Sequence, residues 1–293
     1  MHGFININKP GGLTSHDVVA QVRRLVGRGV KVGHAGTLDP VAVGVLPMAL
    51  GSATRLIEYL AAARKGYRGL VRLGSTTATD DTEGDVLETR PVPAFSDEQL
   101  EAAVAPLRGE IMQTPPRYAA LRQGGRRLYV LARSGQTVEP IPRPVLVEQI
   151  TWQRQSADLL AIEVTCGKGT YIRSIARDIG VALGCGAHLA GLTRTFVTPF
   201  YLEEAVDLTT LQAHPERLDE HLSPPEFVLP DWPAVRLDPE MARRVAHGMT
   251  VSLPDLSDQV GDQARAHAPD GSLLAILRRN GTYWQPEKVL VSL

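Results

Sequence analysis

The stretch Gly33-His34-Ala35-Gly36-Thr37-Leu38-Asp39-Pro40 constrains this chain more than any other. Two glycines, a histidine and one carboxylate fall within eight positions, and Pro40 stands directly after the carboxylate. Proline fixes its own φ and disfavours the helical region for the residue before it. Asp39 is therefore expected in an extended or turn conformation, off any helix face. Val41, Val43, Val45 and Leu46 follow as an apolar anchor. A polar loop pinned between glycines and a buried run is a way to present a single reactive group. An Asp-Pro pair alone would mark only a turn.

The 293 residues exceed one small core and suit one large domain plus one small one. An apolar fraction of 43% supplies a packed interior. Cys166 and Cys185 make no disulfide framework and lack metal-ligand spacing. The N-terminus has no basic segment leading into an apolar one, and no run reaches the roughly 18 apolar residues of a membrane span. These features predict a soluble, cytoplasmic protein in a reducing compartment.

The net charge of −1 conceals an asymmetry. Residues 1–200 hold 23 Lys and Arg against 17 Asp and Glu, whereas 201–293 hold 8 against 15. Only five of the 31 basic residues are lysine. Arginine suits bidentate phosphate contacts and stacking on planar groups, although a genome's composition produces the same bias. The basic first part predicts an anionic partner.

Gly3 to Ile7 alternates as a strand, and Asn8 to Gly12 is a turn. Ser15 is the expected N-cap of a helix carrying Val18, Val19, Val22, Leu25 and Val26, with Asp17 in its first turn. Residues 52–63 read as a helix and 67–73 as a strand. Residues 74–85 form a polar loop, and Ser96 caps a further helix. Strands are expected at 145–152, 159–166 and 187–196, with a helix over 171–179 between the last two. Residues 117–133 carry Arg117, Arg122, Arg126, Arg127 and Arg133 with no acid, interleaved with Tyr118 and Tyr129 around Gly124-Gly125. That pattern favours a nucleic-acid clamp over a merely solvated face. A proline-rich connector leads to short C-terminal strands with glycine turns and a helix over 239–246, the pattern of a small β-barrel. Gly167-Lys168-Gly169-Thr170 lacks the glycine spacing of a phosphate loop, and no dinucleotide, zinc-protease or nucleophile-elbow motif occurs.

Several motifs, in order over about two hundred residues, resemble the bacterial tRNA pseudouridine-55 synthases. They are Asn8-Lys9-Pro10-x-Gly12-x-Thr14-Ser15-His16-Asp17, the stretch from Gly33-His34-x-Gly36 to Pro47, Lys65-x-Tyr67, Leu73-Gly74 to Gly84, Gln113-x-Pro115-Pro116-x-Tyr118, Cys166-x-Lys168-Gly169-Thr170-Tyr171-Ile172-Arg173 and Gly184-x-Gly186-Ala187-His188-Leu189. Ala35, Val41, Val43 and Arg55 depart from the usual residues without removing a reactive group.

The resemblance implies an α+β fold with a mixed, largely antiparallel sheet and flanking helices over 1–213. It further implies a linker over 214–232 and a PUA-like C-terminal β-barrel over 233–293. The implied reaction is the cofactor-free, metal-free isomerisation of uridine 55 in the T-loop of tRNA, after the base is flipped out. Asp39 takes the position of the catalytic nucleophile, acting at C1′ or by another route. Arg173 takes the position of its partner, expected to lower its pKa by roughly 1–3 units. Tyr67 takes the position that stacks on the base and Tyr171 that of the same wall, while His34 fills the gap left by the flipped base. Lys9, Lys168 and the arginines Arg122, Arg126 and Arg127 of an insertion at about 117–140 are expected to bind the tRNA T-loop and T-stem. Asp81 belongs either to a polar network behind the site or to a solvated loop. A monomer is expected. Two alternatives remain: a related synthase acting on ribosomal RNA with partner proteins, and a tRNA-folding factor that needs no chemistry.

Overall fold

A computed structural model describes residues 1–119, 121–123, 125–127, 139–253, 256 and 261–290, with the side chains of 122, 126 and 127 outside that set. An eleven-stranded sheet dominates it. Its main path runs Val206–Asp207, Gly3–Lys9, Val43–Leu50, Ala187–Val197, Lys65–Leu73, Leu159–Cys166, Arg143–Arg154, Gly109–Gln113. Most neighbours are antiparallel. Two contacts are parallel: Val206–Asp207 with Gly3–Lys9, and Val43–Leu50 with Ala187–Val197. The expectation of a mixed, largely antiparallel sheet with flanking helices therefore holds.

The second parallel contact joins two halves of the sheet over only two residue pairs, Thr193 with Val43 and Arg194 with Gly44. Each half has its own core. On one side Ile5, Ile7, Leu46, Met48 and Leu50 pack against Val18, Val19 and Val22 of the helix Ser15–Val26. On the other, Val71, Leu160, Ile162 and Val164 pack against Ile172, Ile175, Ala176 and Ile179 of the helix Ile172–Ala182. Tyr67 and Leu192 touch both cores, so the seam is where a cleft can open.

The first helix departs from expectation at its cap. Thr14, not Ser15, is the N-cap: its side chain accepts from the Asp17 amide, and Asp17 reaches back to the Thr14 amide in a reciprocal capping box. Ser15 is thereby turned inward and buried. Gly44 has φ +102°, and a Cβ there would stand 2.3 Å from the Arg194 carbonyl oxygen, so the seam requires glycine.

The segment 214–232 packs on the large sheet. Leu218, Val228 and Leu229 are buried, and Leu222–Ser223 pairs antiparallel with Gly3–Lys9. Beyond it, Ala234–Arg236, Gln263–His267, Leu273–Asn280 and Tyr283–Val289 form a four-stranded sheet with the helix Pro239–Ala246 against it. A bridge between Val251 and Trp284 extends this sheet, but among the described residues it stays open rather than closing into a barrel. Leu273, Ile276 and Leu290 share a core with Phe4 and Ala49 of the large sheet and with Leu56 just after it. Tyr59 meets Trp232 edge-on at 4.9 Å beside the Lys288–Glu58 ion pair. Among the described residues no helix is long and apolar enough to cross a membrane.

Candidate active site

Asp39 stands on the loop between the strands Val32–His34 and Val43–Leu50, and side chains hold that loop from three directions. Ser15 Oγ accepts from the Leu38 amide at 2.9 Å and lies 3.2 Å from the Leu38 carbonyl oxygen, to which it donates. Lys9 Nζ donates to the Pro40 carbonyl at 3.0 Å. Arg194 donates to the Gly36 carbonyl at 3.0 Å through Nη2 and, more weakly, to that of Thr37 at 3.4 Å through Nη1. Buried backbone acceptors need partners, and here those partners fix where Asp39 points.

Arg173 enters from the first turn of the helix Ile172–Ala182. Its Nε lies 3.0 Å from Asp39 Oδ2 without hydrogen-bond alignment, while Nη2 donates to Oδ1 at 3.3 Å. Nη1 donates to the Thr79 carbonyl at 2.9 Å and lies 3.4 Å from Asp81 Oδ2. The Arg173 side chain is 6% exposed and that of Asp39 35%. Asp81 is buried and accepts from the Glu83 amide, so it belongs to the polar network behind the site.

Burial pushes the Asp39 carboxyl above its ordinary range; Arg173 pulls it down, Asp81 pushes it up and Lys9 pulls it down. The expected net lowering is therefore corrected. The guanidinium acts in the expected direction, but the loss of water around the carboxylate outweighs it.

The cavity at the seam measures about 290 Å³ and is lined by Asp39, Arg173, Tyr67, Tyr171, Lys65, Leu192 and Arg194, together with Gly36–Leu38, Gly167 and Gly169–Ile172. It lies near the lower end of small-ligand sites, which span roughly 300–1,000 Å³. Charged groups, aromatic rings and an aliphatic side chain share its lining. Burial raises the Tyr67 and Tyr171 phenols above the ordinary value, so both are neutral near pH 7. Gln113 clasps the Tyr171 backbone, accepting from its amide at 2.8 Å and donating to its carbonyl at 3.1 Å.

The structure thus brings together Asp39, Arg173, Tyr67 and Tyr171. His34 is half-buried nearby, with His16 edge-on at 5.5 Å; burial and then His16 hold its pKa down, which favours the neutral ring. Lys168 is exposed, between the cavity-lining residues Gly167 and Gly169 but not itself in the lining. Lys9 departs from expectation as a substrate contact. It is fully buried and donates to the carbonyls of Pro10, Leu13 and Pro40 at 2.8, 2.7 and 3.0 Å, which uses all three of its protons. Burial pushes it down to about 8, partly opposed by Asp39. Arg122, Arg126 and Arg127 lie on the paired strands Arg122–Gln123 and Arg126–Arg127, but their side chains, and most of 117–140, fall outside the described residues.

Sequence reasoning did not assign Ser15, Lys65, Leu192 or Arg194 to the site. Leu192 and Arg194 were accessible in principle: they sit two apart on a strand, hence on one face. Lys65 is buried against the Ala61 and Ala63 carbonyls and pushed down to about 8. Among the described residues no cluster of three or more His, Cys, Asp or Glu is arranged to hold a metal ion.

Comparison with known proteins places the chain among pseudouridine synthases. Residues 23–172 match the TruB family pseudouridylate synthase N-terminal domain. Residues 173–230 match the tRNA pseudouridylate synthase B C-terminal domain, and 232–291 match the tRNA pseudouridine synthase II C-terminal region. The tRNA pseudouridine synthase B of Burkholderia mallei (strain NCTC 10247) is 41% identical over 100% of this chain and 98% of its own length. That of Mycobacterium sp. (strain KMS) is 46% identical over 94% of this chain and 91% of its own length. Among solved structures, a chain of a Cbf5-Nop10-Gar1 complex superposes with TM-score 0.74 at 28% identity, covering 99% of this chain and 85% of that one. A chain of an H/ACA RNP bound to a substrate RNA containing 2′-deoxyuridine gives 0.73 at 26%, with coverage of 99% and 85%. The chain belongs to the TruB family of pseudouridylate synthases.

Proposed function

We propose that this enzyme isomerises uridine 55 in the T-loop of tRNA to pseudouridine. The tRNA substrate and the isomerisation accord with full-length relatives 41–46% identical, all tRNA pseudouridine synthases by name. The observation that carries the site assignment is Asp39 held against the buried Arg173 in a cavity walled by Tyr67 and Leu192. In the reaction the N1–C1′ bond breaks, the uracil turns, and a C5–C1′ bond forms. C5 loses a proton and N1 gains one. No electrons enter or leave, so the overall balance requires no redox cofactor.

Asp39 acts as an anion, as nucleophile at C1′ or by another route to base departure, and Arg173 holds it in that state. Tyr67 stacks on the uracil, with Tyr171 completing the wall. Flipping a base costs on the order of a few kcal/mol. A neutral His34 ring entering the vacated stack offsets part of that cost. Lys168 and the arginines of 117–140, including Arg122, Arg126 and Arg127, clamp the T-loop and T-stem phosphates. We divide the chain into a catalytic domain over 1–213, a connector over 214–232 and a PUA-like domain over 233–293. The enzyme acts in the cytoplasm as a monomer. Identity to the bacterial tRNA enzymes exceeds the 26–28% shared with chains of the H/ACA complexes, which favours action on tRNA without a guide RNA.

Tritium release from tRNA labelled at C5 of uridine tests this reading, because the new bond displaces that hydrogen. Wild type should release label from one T-loop position, and Asp39→Asn should release none while still binding tRNA. Equal release by both proteins would remove Asp39 from the chemistry. Release by neither, with binding intact, would leave a tRNA-binding protein.

A further inference from the structure

Arg194 holds the Asp39 loop as a buried cation. It is 1% exposed, and among the described residues no carboxylate pairs with it. An unpaired charge is costly to bury, so its retention calls for a reason. Its Nε donates to the Val45 carbonyl at 2.7 Å, and its two terminal nitrogens face the Gly36 and Thr37 carbonyls. It stands at the two-residue seam, opposite Gly44 on one side and Tyr67 on the other. Tyr67 is thus its cross-strand neighbour, with both side chains facing the same cavity.

Guanidinium has five N–H donors and no acceptor. A hydrogen bond from Arg194 to its neighbour Tyr67 therefore has the phenol oxygen as acceptor. Its own O–H is left to point elsewhere, and Tyr67 and Arg194 both line the cavity that contains Asp39. One planar group thus holds the loop that carries Asp39 while standing beside Tyr67 on the neighbouring strand. We infer that Arg194 is a positioning residue for the isomerisation: it locks Tyr67 against the Asp39 loop and leaves the Tyr67 hydroxyl as a donor towards the flipped uracil. This inference rests on the proposed reading of the site. Lysine would keep the charge but lose the planar fork that reaches both elements.

The test compares wild type, Arg194→Lys, Tyr67→Phe and the double variant in single-turnover tritium release, with tRNA affinity measured separately. Arg194→Lys should slow the single-turnover rate at least about tenfold with affinity within about threefold, a loss confined to the chemical step. The double variant should be no more than about twofold slower than the slower single one, because the arginine acts through the tyrosine. A rate for Arg194→Lys within twofold of wild type, a parallel loss of affinity, or fully multiplied effects would each overturn the inference.

A second measurement decides the matter if Arg194→Lys fails to fold. In wild type the Arg194 side-chain Nε–H, held by Val45, should give a slowly exchanging NMR resonance that shifts in Tyr67→Phe; no shift overturns the contact. The same measurement separates the two levels of argument. Were wild type to bind tRNA and release no tritium, the functional reading would fall, while the resonance would still report whether Arg194 grips Tyr67.

Discussion

Arg173 lies between two carboxylates, 3.0 Å from Asp39 and 3.4 Å from Asp81, and its own side chain is almost wholly shielded from water. It donates as well to the carbonyls of Thr79 and Tyr118. Its position is thus set by the backbone, and Asp39 meets a cation that is already fixed. Such preorganisation stabilises charge without reorganisation during the reaction.

Arg173→Lys should therefore lower the single-turnover rate by about two to three orders of magnitude, because an ammonium cannot reproduce the planar contacts. Affinity for tRNA should change by no more than about threefold. The pH profile carries a second signature. Asp39 is already held above the ordinary carboxylate range by burial, so the acid limb of wild-type activity should lie above the pH at which free aspartate titrates, about 3.9. Weakening the pull of Arg173 raises the Asp39 pKa further, so the limb should move to higher pH in Arg173→Lys. A limb that moves down would mean that another group governs it.

Ser15→Ala removes a buried hydroxyl that serves both the amide and the carbonyl of Leu38. Leaving two buried backbone groups unpaired should destabilise the protein by about 1–3 kcal/mol. Because Leu38 adjoins Asp39, turnover should also fall, by roughly tenfold, with tRNA affinity kept. Denaturant unfolding and single-turnover rates measured together test this. A loss of stability with an unchanged rate would show that the loop keeps its geometry without Ser15.

Much of this site was legible in the sequence because its parts are local. Asp-Pro fixes the loop, Arg173 opens a helix, and Tyr67 falls in an alternating strand. What escaped depends on long-range pairing. Lys9 looks like a surface cation from its turn-rich setting, and the approach of Pro40, thirty-one positions away, supplies the third of its carbonyl partners. Arg194 reads as one more arginine until the strand containing it is placed between Gly44 and Tyr67. The net direction of the Asp39 shift was equally hidden, since burial is a property of the folded whole. The C-terminal strands were recognised as short segments between glycine turns, but that pattern does not say whether a sheet closes.

Affinity for tRNA should fall as salt rises, because arginine and lysine contacts with phosphate release counterions. Lys168 is exposed between the cavity-lining Gly167 and Gly169, so Lys168→Ala should weaken binding and make the log–log salt slope shallower by about one. Lys9→Met should not change that slope, because its ammonium is committed to carbonyls inside the protein. Equilibrium binding across a salt series distinguishes the two lysines. A slope change for Lys9→Met would place that residue on the RNA.

The two buried lysines also predict how stability depends on pH. Lys9 and Lys65 are both pushed down to about 8 from 10.5, chiefly by burial. Above pH 8 the unfolded chain keeps protons on both lysines that the folded protein gives up. Stability rises with pH wherever the unfolded state binds more protons. Between pH 8 and 9 it should therefore increase, by roughly 1–2 kcal/mol if both groups contribute. Cys166 works the other way: burial raises it from 9.0 to about 11, so the unfolded chain loses that proton first and the gain should flatten above pH 9. Guanidinium unfolding at half-unit steps from pH 7 to 9.5 measures the curve. A flat or falling stability between 8 and 9 would mean that the carbonyl cages around Lys9 and Lys65 hold their ammonium groups charged despite burial.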